Sequence, residues 1–326
     1  MLLRDWNLAV PVCRLVCGTL NLTPNDRGAT LSEVKLPKRN PWARLCIALV
    51  MVVSYLAVIT LAPLPDRLIL FPTTHRIDAG AATRKAVAFD GGELAIWTAA
   101  SKLAKQRGQP AFYVLRFYGN ADRADRWVAA EAEMWNNRAV EVWGVNYPGY
   151  GGSTGPARLA RMGPAALAAF DALQREAGDR PIIVFGASLG TTTALHVAAK
   201  RQLAGLILHN PPPLRQMILQ QFGWWNLWLL AGPLAQKLPT DLDSIANARS
   251  VQVPAIFLLA EQDRIVPPKF QRLVGDAYAG DKRVIPLNGA GHNSPMEGVA
   301  LTHFHTALDW LVSQHKQVPD SPAVTR

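Results

Sequence analysis

The chain has 326 residues, enough for one large α/β domain with a sizeable core or for two small ones. Apolar residues make up 49% and charged residues 18%, which excludes a chain held open by its own charge. The formal charge is +10, but past the N-terminal region the cations are scattered without a basic run, so no nucleic-acid partner is expected.

Over residues 1–44, Arg4, Arg14, Arg27, Lys35, Lys38, Arg39 and Arg44 outnumber Asp5, Asp26 and Glu33, and no hydrophobic period is sustained. This reads as a disordered cytoplasmic tail or an over-long gene start. Leu45 to Pro65 then carries no charge, and Leu45–Ala62 (LCIALVMVVSYLAVITLA) is almost wholly apolar. As a helix it spans about 27 Å, close to the thickness of a bilayer's hydrocarbon core. Cations precede it, whereas Asp66 and Arg67 follow. Residues 45–64 are therefore expected to form an uncleaved transmembrane signal anchor. The N-terminus would be cytoplasmic and the catalytic domain extracytoplasmic, periplasmic in a Gram-negative cell. Two readings compete. A cleaved signal peptide would leave Pro63 as the first mature residue, an unfavourable site. A buried core helix would need an unusually long apolar segment ahead of any sheet. Cys13, Cys17 and Cys46 all lie within the tail or the apolar segment, so the domain over residues 65–326 needs no disulfide, which suits export.

A Pro-rich linker, Ala62–Arg67, leads into Lys85–Phe89 and Glu93–Thr98 around Asp90-Gly91-Gly92, a hairpin signal. Ala111–Phe117 reads as a buried strand. Asn120–Asn137 reads as a helix with Trp127 and Met134 on its inner face. Strands follow at Val140–Asn146, Pro181–Phe185, Leu203–Leu208, Pro254–Ala260 and Arg283–Leu287. Helices are expected at Gly163–Ala177, Thr191–Lys200, Pro268–Tyr278 and Pro295–Ser313. This alternation predicts a mostly parallel, doubly wound α/β sheet of about eight strands, opened by an antiparallel hairpin. One insertion, about residues 210–250, breaks it and carries Trp224, Trp225 and Trp228 among leucines. It is either a cap that lines an apolar substrate cleft or meets a membrane surface, or a helix packed on the sheet with its tryptophans in the core.

G-x-S-x-G occurs twice. Gly151-Gly-Ser153-Thr-Gly155 lies in a glycine-rich loop closed by Pro156. Gly186-Ala-Ser188-Leu-Gly190 has a β-branched run before it and an alanine-rich helix after it, the strand–turn–helix setting of a nucleophile elbow. Ser188 is the nucleophile candidate. A serine hydroxyl needs a base, and the base needs a carboxylate, in the chain order Ser, acid, His at strand ends. Asp263 follows strand Pro254–Ala260, with Glu261 and Asp276 as rival acids, and His292 follows strand Arg283–Leu287. Among the other histidines, His209 ends a strand beside the insertion and could reach the cleft; His196 reads as structural. The oxyanion hole would use the Leu189 N–H and a second N–H from Tyr118-Gly-Asn-Ala121, with Asn120 chosen and Ala121 the alternate.

Taken together, these stretches resemble the α/β-hydrolase fold, and within it the Bem46-like group of membrane-anchored serine hydrolases. The resemblance rests on the N-terminal apolar helix, Phe71-Pro72-Thr73, the Gly119-Asn120-Ala121 loop, Tyr147-Pro-Gly-Tyr-Gly-Gly-Ser153-Thr-Gly155, the Ser188 elbow, Asp263-x-x-Val266-Pro267, and Gly289-x-Gly-His292-Asn293. Tyr118 stands where that group usually has histidine. This implies a substrate-binding place for Tyr118, beside Trp224 and Trp225 of the cap. The group acts on acyl chains, so the resemblance implies hydrolysis of a carboxylic ester or thioester, with an acyl lipid or acylated small molecule as substrate and no cofactor or metal. The same triad serves amidases and peptidases, and a non-catalytic binding protein on this fold is the other alternative.

Overall fold

The computed structural model describes residues 41–61, 64–135, 137–224 and 228–315. Residues 1–40, Trp225 and the last eleven residues named in the sequence, 316–326, lie outside them, and so does the expected tail.

Helix α1, Pro41–Leu61, starts four residues ahead of the expected apolar segment, and Leu45, Ile47, Val50 and Val53 on it are exposed. Among the described residues no helix is long and apolar enough to cross a membrane; the apolar segment itself runs on to Ala62, which is outside them. The expected linker is in part a helix, α2 (Leu64–Ile69). Its Asp66 Oδ1 accepts the Leu159 N–H at 2.8 Å, so α2 closes the free N-terminus of a later helix.

Eight strands form one sheet: β1 Thr83–Phe89, β2 Gly92–Ala100, β3 Phe112–Phe117, β4 Val140–Val145, β5 Ile182–Ala187, β6 Gly205–His209, β7 Ala255–Ala260 and β8 Lys282–Leu287. Their order is β1-β2-β4-β3-β5-β6-β7-β8. β1, β2 and β4 pair antiparallel and every other pair is parallel. The hairpin turns on Asp90 (φ 49°) and Gly91 (φ 73°), both left-handed, as a two-residue turn matched to strand twist requires. β3 and β6 are buried along nearly their whole length, with Arg116 the one charged residue in either, because helices cover both of their faces. α5 (Leu159–Ala177) and α6 (Leu189–Lys200) bury Phe170, Leu173 and Leu195 on one face. A short helix, α3 (Lys102–Arg107), links β2 to β3, while α4 (Ala124–Met134) and the long last helix Gly298–His315 bury Val128, Phe304 and Leu308 on the other face.

Two expectations need correction here. α4 starts at Ala124 rather than Asn120, and this shifts its inner face to Ala124, Asp125, Val128 and Ala132. Trp127 and Met134 are 44% and 46% exposed, and the Trp127 indole N–H donates to Asp122 Oδ1. The second is the reading of the insertion, about residues 210–250, as a helix packed on the sheet with its tryptophans in the core. It is built of short pieces, α7 (Leu214–Met217), a π-turn at Ile218–Phe222 and α8 (Ala231–Gln236), with Leu214 and Ile218 laid against the core. α9 (Ser244–Ser250) sinks Ala248 into the α5–α6 core. Trp224 is 69% exposed, so it is not a core residue.

Order reverses between β3 and β5, which places a crevice at their C-terminal ends. The loops after β3, β5, β7 and β8 all open on that edge.

Candidate active site

The site begins with close packing. A Cβ on Gly186 would stand 2.5 Å from the Gly190 carbonyl oxygen, and one on Gly190 would stand 2.3 Å from the Phe117 carbonyl oxygen. Only glycine lets β5, α6 and the end of β3 meet this closely. Between them Ser188 holds φ 48° and ψ −124°, a left-handed backbone that a serine adopts only under constraint. The constraint is visible. The Ser188 N–H donates to the His209 carbonyl at 2.8 Å, and its own carbonyl accepts both the N–H and the hydroxyl of Thr191.

From this apex a polar chain runs outward. Ser188 Oγ lies 2.9 Å from His292 Nε2, and His292 Nδ1 lies 2.6 Å from Asp263 Oδ2. Asp263 has a fully buried side chain, whereas that of His292 keeps 11% of its surface open. The Asp263 Oδ1 accepts the N–H groups of Ile265 and Val266, each at 2.8 Å. With the His292 ring nitrogen and the Gln271 amide on Oδ2, these bonds fix the rotamer of the buried carboxylate. An ionised acid at Nδ1 selects the tautomer whose Nε2 lone pair faces Ser188. The rival acids stand elsewhere: Glu261 is exposed, and Asp276 lies on α10 (Pro268–Ala277).

Leu189 opens α6, so its N–H has no acceptor within the helix and sits at the positive end of the dipole. The Gly119 backbone packs on the serine: a Cβ there would be 3.4 Å from Ser188 Cβ. Asn120 is clamped by its side chain. Its Oδ1 accepts the N–H groups of Phe71 and Ala121, each at 3.0 Å, and the Tyr150 hydroxyl at 3.1 Å, while its Nδ2 donates to the Ile69 carbonyl. Burial pushes the Tyr150 hydroxyl up to about 12, which keeps it a donor.

Tyr118 is not at the cleft. Its ring is buried beneath the Arg116 guanidinium, and its hydroxyl donates to Glu131 Oε2 at 2.8 Å. Burial, then Glu131, holds that hydroxyl well above its ordinary range. At this position the side chain turns to the α4 face, so the expectation that it binds substrate is corrected. Trp224 lies on the exposed insertion and Trp225 lies outside the described residues. Ser153 is structural: its hydroxyl donates to the Asn146 carbonyl and accepts the Ala95 N–H.

Some supporting residues carry no single-residue sequence signal. Asn210 (φ 52°) is buried, accepts the Ala260 N–H and donates to the His292 carbonyl at 3.2 Å, which ties the histidine loop to β7. Arg123 pairs with Asp125 and donates to the carbonyls of Thr73 and His75, and Asn146 Nδ2 donates to Asp125 Oδ1 and to the Gly151 carbonyl. This array braces the Tyr147–Gly155 loop that presents Tyr150. The Tyr147-Pro-Gly-Tyr-Gly-Gly152 run is its trace in the sequence. His209 has its Nε2 enclosed without a partner. Burial first, then the Arg116 and His292 charges, press its pKa down to about 4.

A sheet with this strand order, a strained serine at the β5–α6 elbow and a buried acid–histidine pair define the α/β-hydrolase fold. Known proteins agree. A family described as "alpha/beta hydrolase fold" matches residues 114–247. Protein bem46 of Schizosaccharomyces pombe is 26% identical over 64% of this chain and 70% of its own length. The alpha/beta hydrolase domain-containing protein aho-3 of Caenorhabditis elegans is 27% identical over 56% of this chain, which spans only 52% of that relative. The monoacylglycerol lipase of Paleococcus ferrophilus superposes with TM-score 0.51 at 21% identity, over 68% of this chain and 99% of that one. An esterase of Pyrococcus furiosus superposes with TM-score 0.55 at 12% identity, over 76% and 98%; at these identities both show the fold alone. The chain has the α/β-hydrolase fold, and its sequence is similar to that of Bem46.

Proposed function

We propose that the protein is a serine hydrolase that cleaves a carboxylic ester or thioester through an acyl-serine intermediate. The observation that carries this reading is the unbroken path from Ser188 Oγ through His292 to Asp263, at 2.9 and 2.6 Å, at an elbow strained to φ 48°. Ser188 Oγ attacks the carbonyl carbon as His292 Nε2 takes its proton. The Leu189 and Asn120 N–H groups hold the oxygen that becomes negative. The intermediate collapses, the bond to the alcohol or thiol breaks, and His292 protonates the leaving group. Water then attacks the acyl carbon, gives a proton to His292 and releases the acid; the proton returns to Ser188. Asp263 stays ionised throughout and holds the imidazole.

An acyl lipid or acylated small molecule is the proposed substrate class. Support comes from the exposed Trp224, Trp228 and Leu229 on the insertion and from the relatives' acyl chemistry implied by resemblance. A fluorophosphonate should label Ser188, and p-nitrophenyl esters should be hydrolysed faster as the acyl chain lengthens; a Ser188→Ala variant that keeps both activities would refute the reading.

Anchorage belongs to the same proposal. Leu45–Ala62 would hold the protein in a membrane as a single pass, with the N-terminus cytoplasmic and residues 65–326 extracytoplasmic. The charge-free run and the exposed apolar side chains of α1 support it. A periplasm-active reporter fused after Leu64 should be active; an inactive reporter that is nevertheless expressed would place the domain in the cytoplasm.

A further inference from the structure

Gln271 is completely buried on α10, where an apolar side chain would pack without leaving a polar atom unpaired. Its Nε2 lies 2.7 Å from the Val266 carbonyl, 3.2 Å from Asp263 Oδ2 and 3.3 Å from the Ala260 carbonyl. Its Oε1 is enclosed with no partner. The amide has one tenable orientation, because turning it over would press Oε1 against three acceptor oxygens. Two protons therefore serve three acceptors. One goes to Val266 at the shortest distance, and the other is shared between Ala260 and Asp263. A buried amide that leaves its own oxygen unpaired needs a reason beyond packing.

Asp263 supplies that reason. Its Oδ1 is held by two backbone N–H groups, while among the described residues the donors to Oδ2 are His292 and Gln271. In the proposed reaction His292 Nε2 changes partner from Ser188 Oγ to the departing group, so of the two donors to Oδ2 Gln271 is the one that takes no part in the proton transfers. We propose that Gln271 is a positioning residue, which holds the Asp263 carboxylate so that Oδ2 stays in line with His292 Nδ1 through both proton transfers. The inference rests on the reading of Ser188, His292 and Asp263 as the catalytic set, and Gln271 itself touches no substrate.

The test uses two variants of the full chain. Gln271→Met keeps the volume and removes the donors; Gln271→Glu keeps the shape and sets a second carboxyl against Asp263, where both cannot ionise. Proton NMR reads the low-field resonance of the His292–Asp263 hydrogen bond, assigned by its loss in His292→Ala. Ester hydrolysis is measured alongside. In each variant the resonance should shift or vanish, and kcat should fall on the order of 10- to 100-fold with KM near the parent value. A purely structural role predicts lower thermal stability with the resonance and kcat unchanged, and that result in either variant overturns the proposal. If the parent protein neither hydrolyses esters nor takes up a fluorophosphonate, the hydrolase reading fails. The NMR comparison still decides whether Gln271 holds the Asp263–His292 bond.

Discussion

Ser188 sits in backbone strain that the surrounding glycines and the Thr191 and His209 bonds hold in place, and this points its hydroxyl at His292 instead of into the helix. Its neighbour His209 carries a second consequence. With a pKa near 4 against an ordinary 6.5, it binds a proton more readily in the unfolded chain. Its contribution to stability is therefore complete above pH 6.5 and is lost as pH falls toward 4, by up to roughly 3 kcal/mol. His209→Gln should remove this term. Thermal unfolding of the variant should depend less steeply on pH between 6.5 and 4 than that of the parent; parallel curves would show that His209 titrates normally. At this scale the sequence was most informative where chemistry is local. Ser188, Asp263 and His292 are each set by the strand end just before them, and the structure brings them within hydrogen-bond distance. The place of Tyr118 is not legible in the sequence, because the direction of one side chain at a strand end depends on the sheet face it meets. Asn210 is invisible because its partners lie 50 and 82 residues away, and Gln271 because nothing in its helix pattern shows that its amide turns back onto the Asp263 loop.

Element boundaries followed the apolar pattern closely in the sheet, since a strand buried on both faces announces itself by a short apolar run between turn residues. α4 was harder. Its N-terminal turn is the buried ion pair of Arg123 and Asp125, so a charged residue occupies the inner face where pattern reading seeks an apolar one. A start at Asn120 puts Trp127 and Met134 on the inner face, whereas the observed start at Ala124 turns Val128 and Ala132 inward. The corrected face makes a quantitative distinction. Val128→Ala should cost about 2 kcal/mol, because it empties a fully buried contact, whereas Met134→Gln should change stability by about 0.5 kcal/mol or less. Denaturant midpoints of the two variants would check this, and equal losses would restore Met134 to the core.

At the scale of the molecule, one sheet gathers four loops on one edge. The reversal between β3 and β5 opens the crevice, the elbow after β5 fills its centre, and the loops after β7 and β8 bring acid and base to it. The sequence allowed this arrangement to be anticipated because alternating strands and helices leave few topologies open. It did not define the insertion, whose helices are short and whose tryptophans lack a period to show which way they face. The most direct test of the account is intact-protein and peptide mass after exposure to a fluorophosphonate. The account predicts one covalent adduct, carried by the peptide containing Ser188, lost in Ser188→Ala and in His292→Ala, and unaffected by Ser153→Ala. An unlabelled parent protein, or an adduct that survives Ser188→Ala, would contradict it.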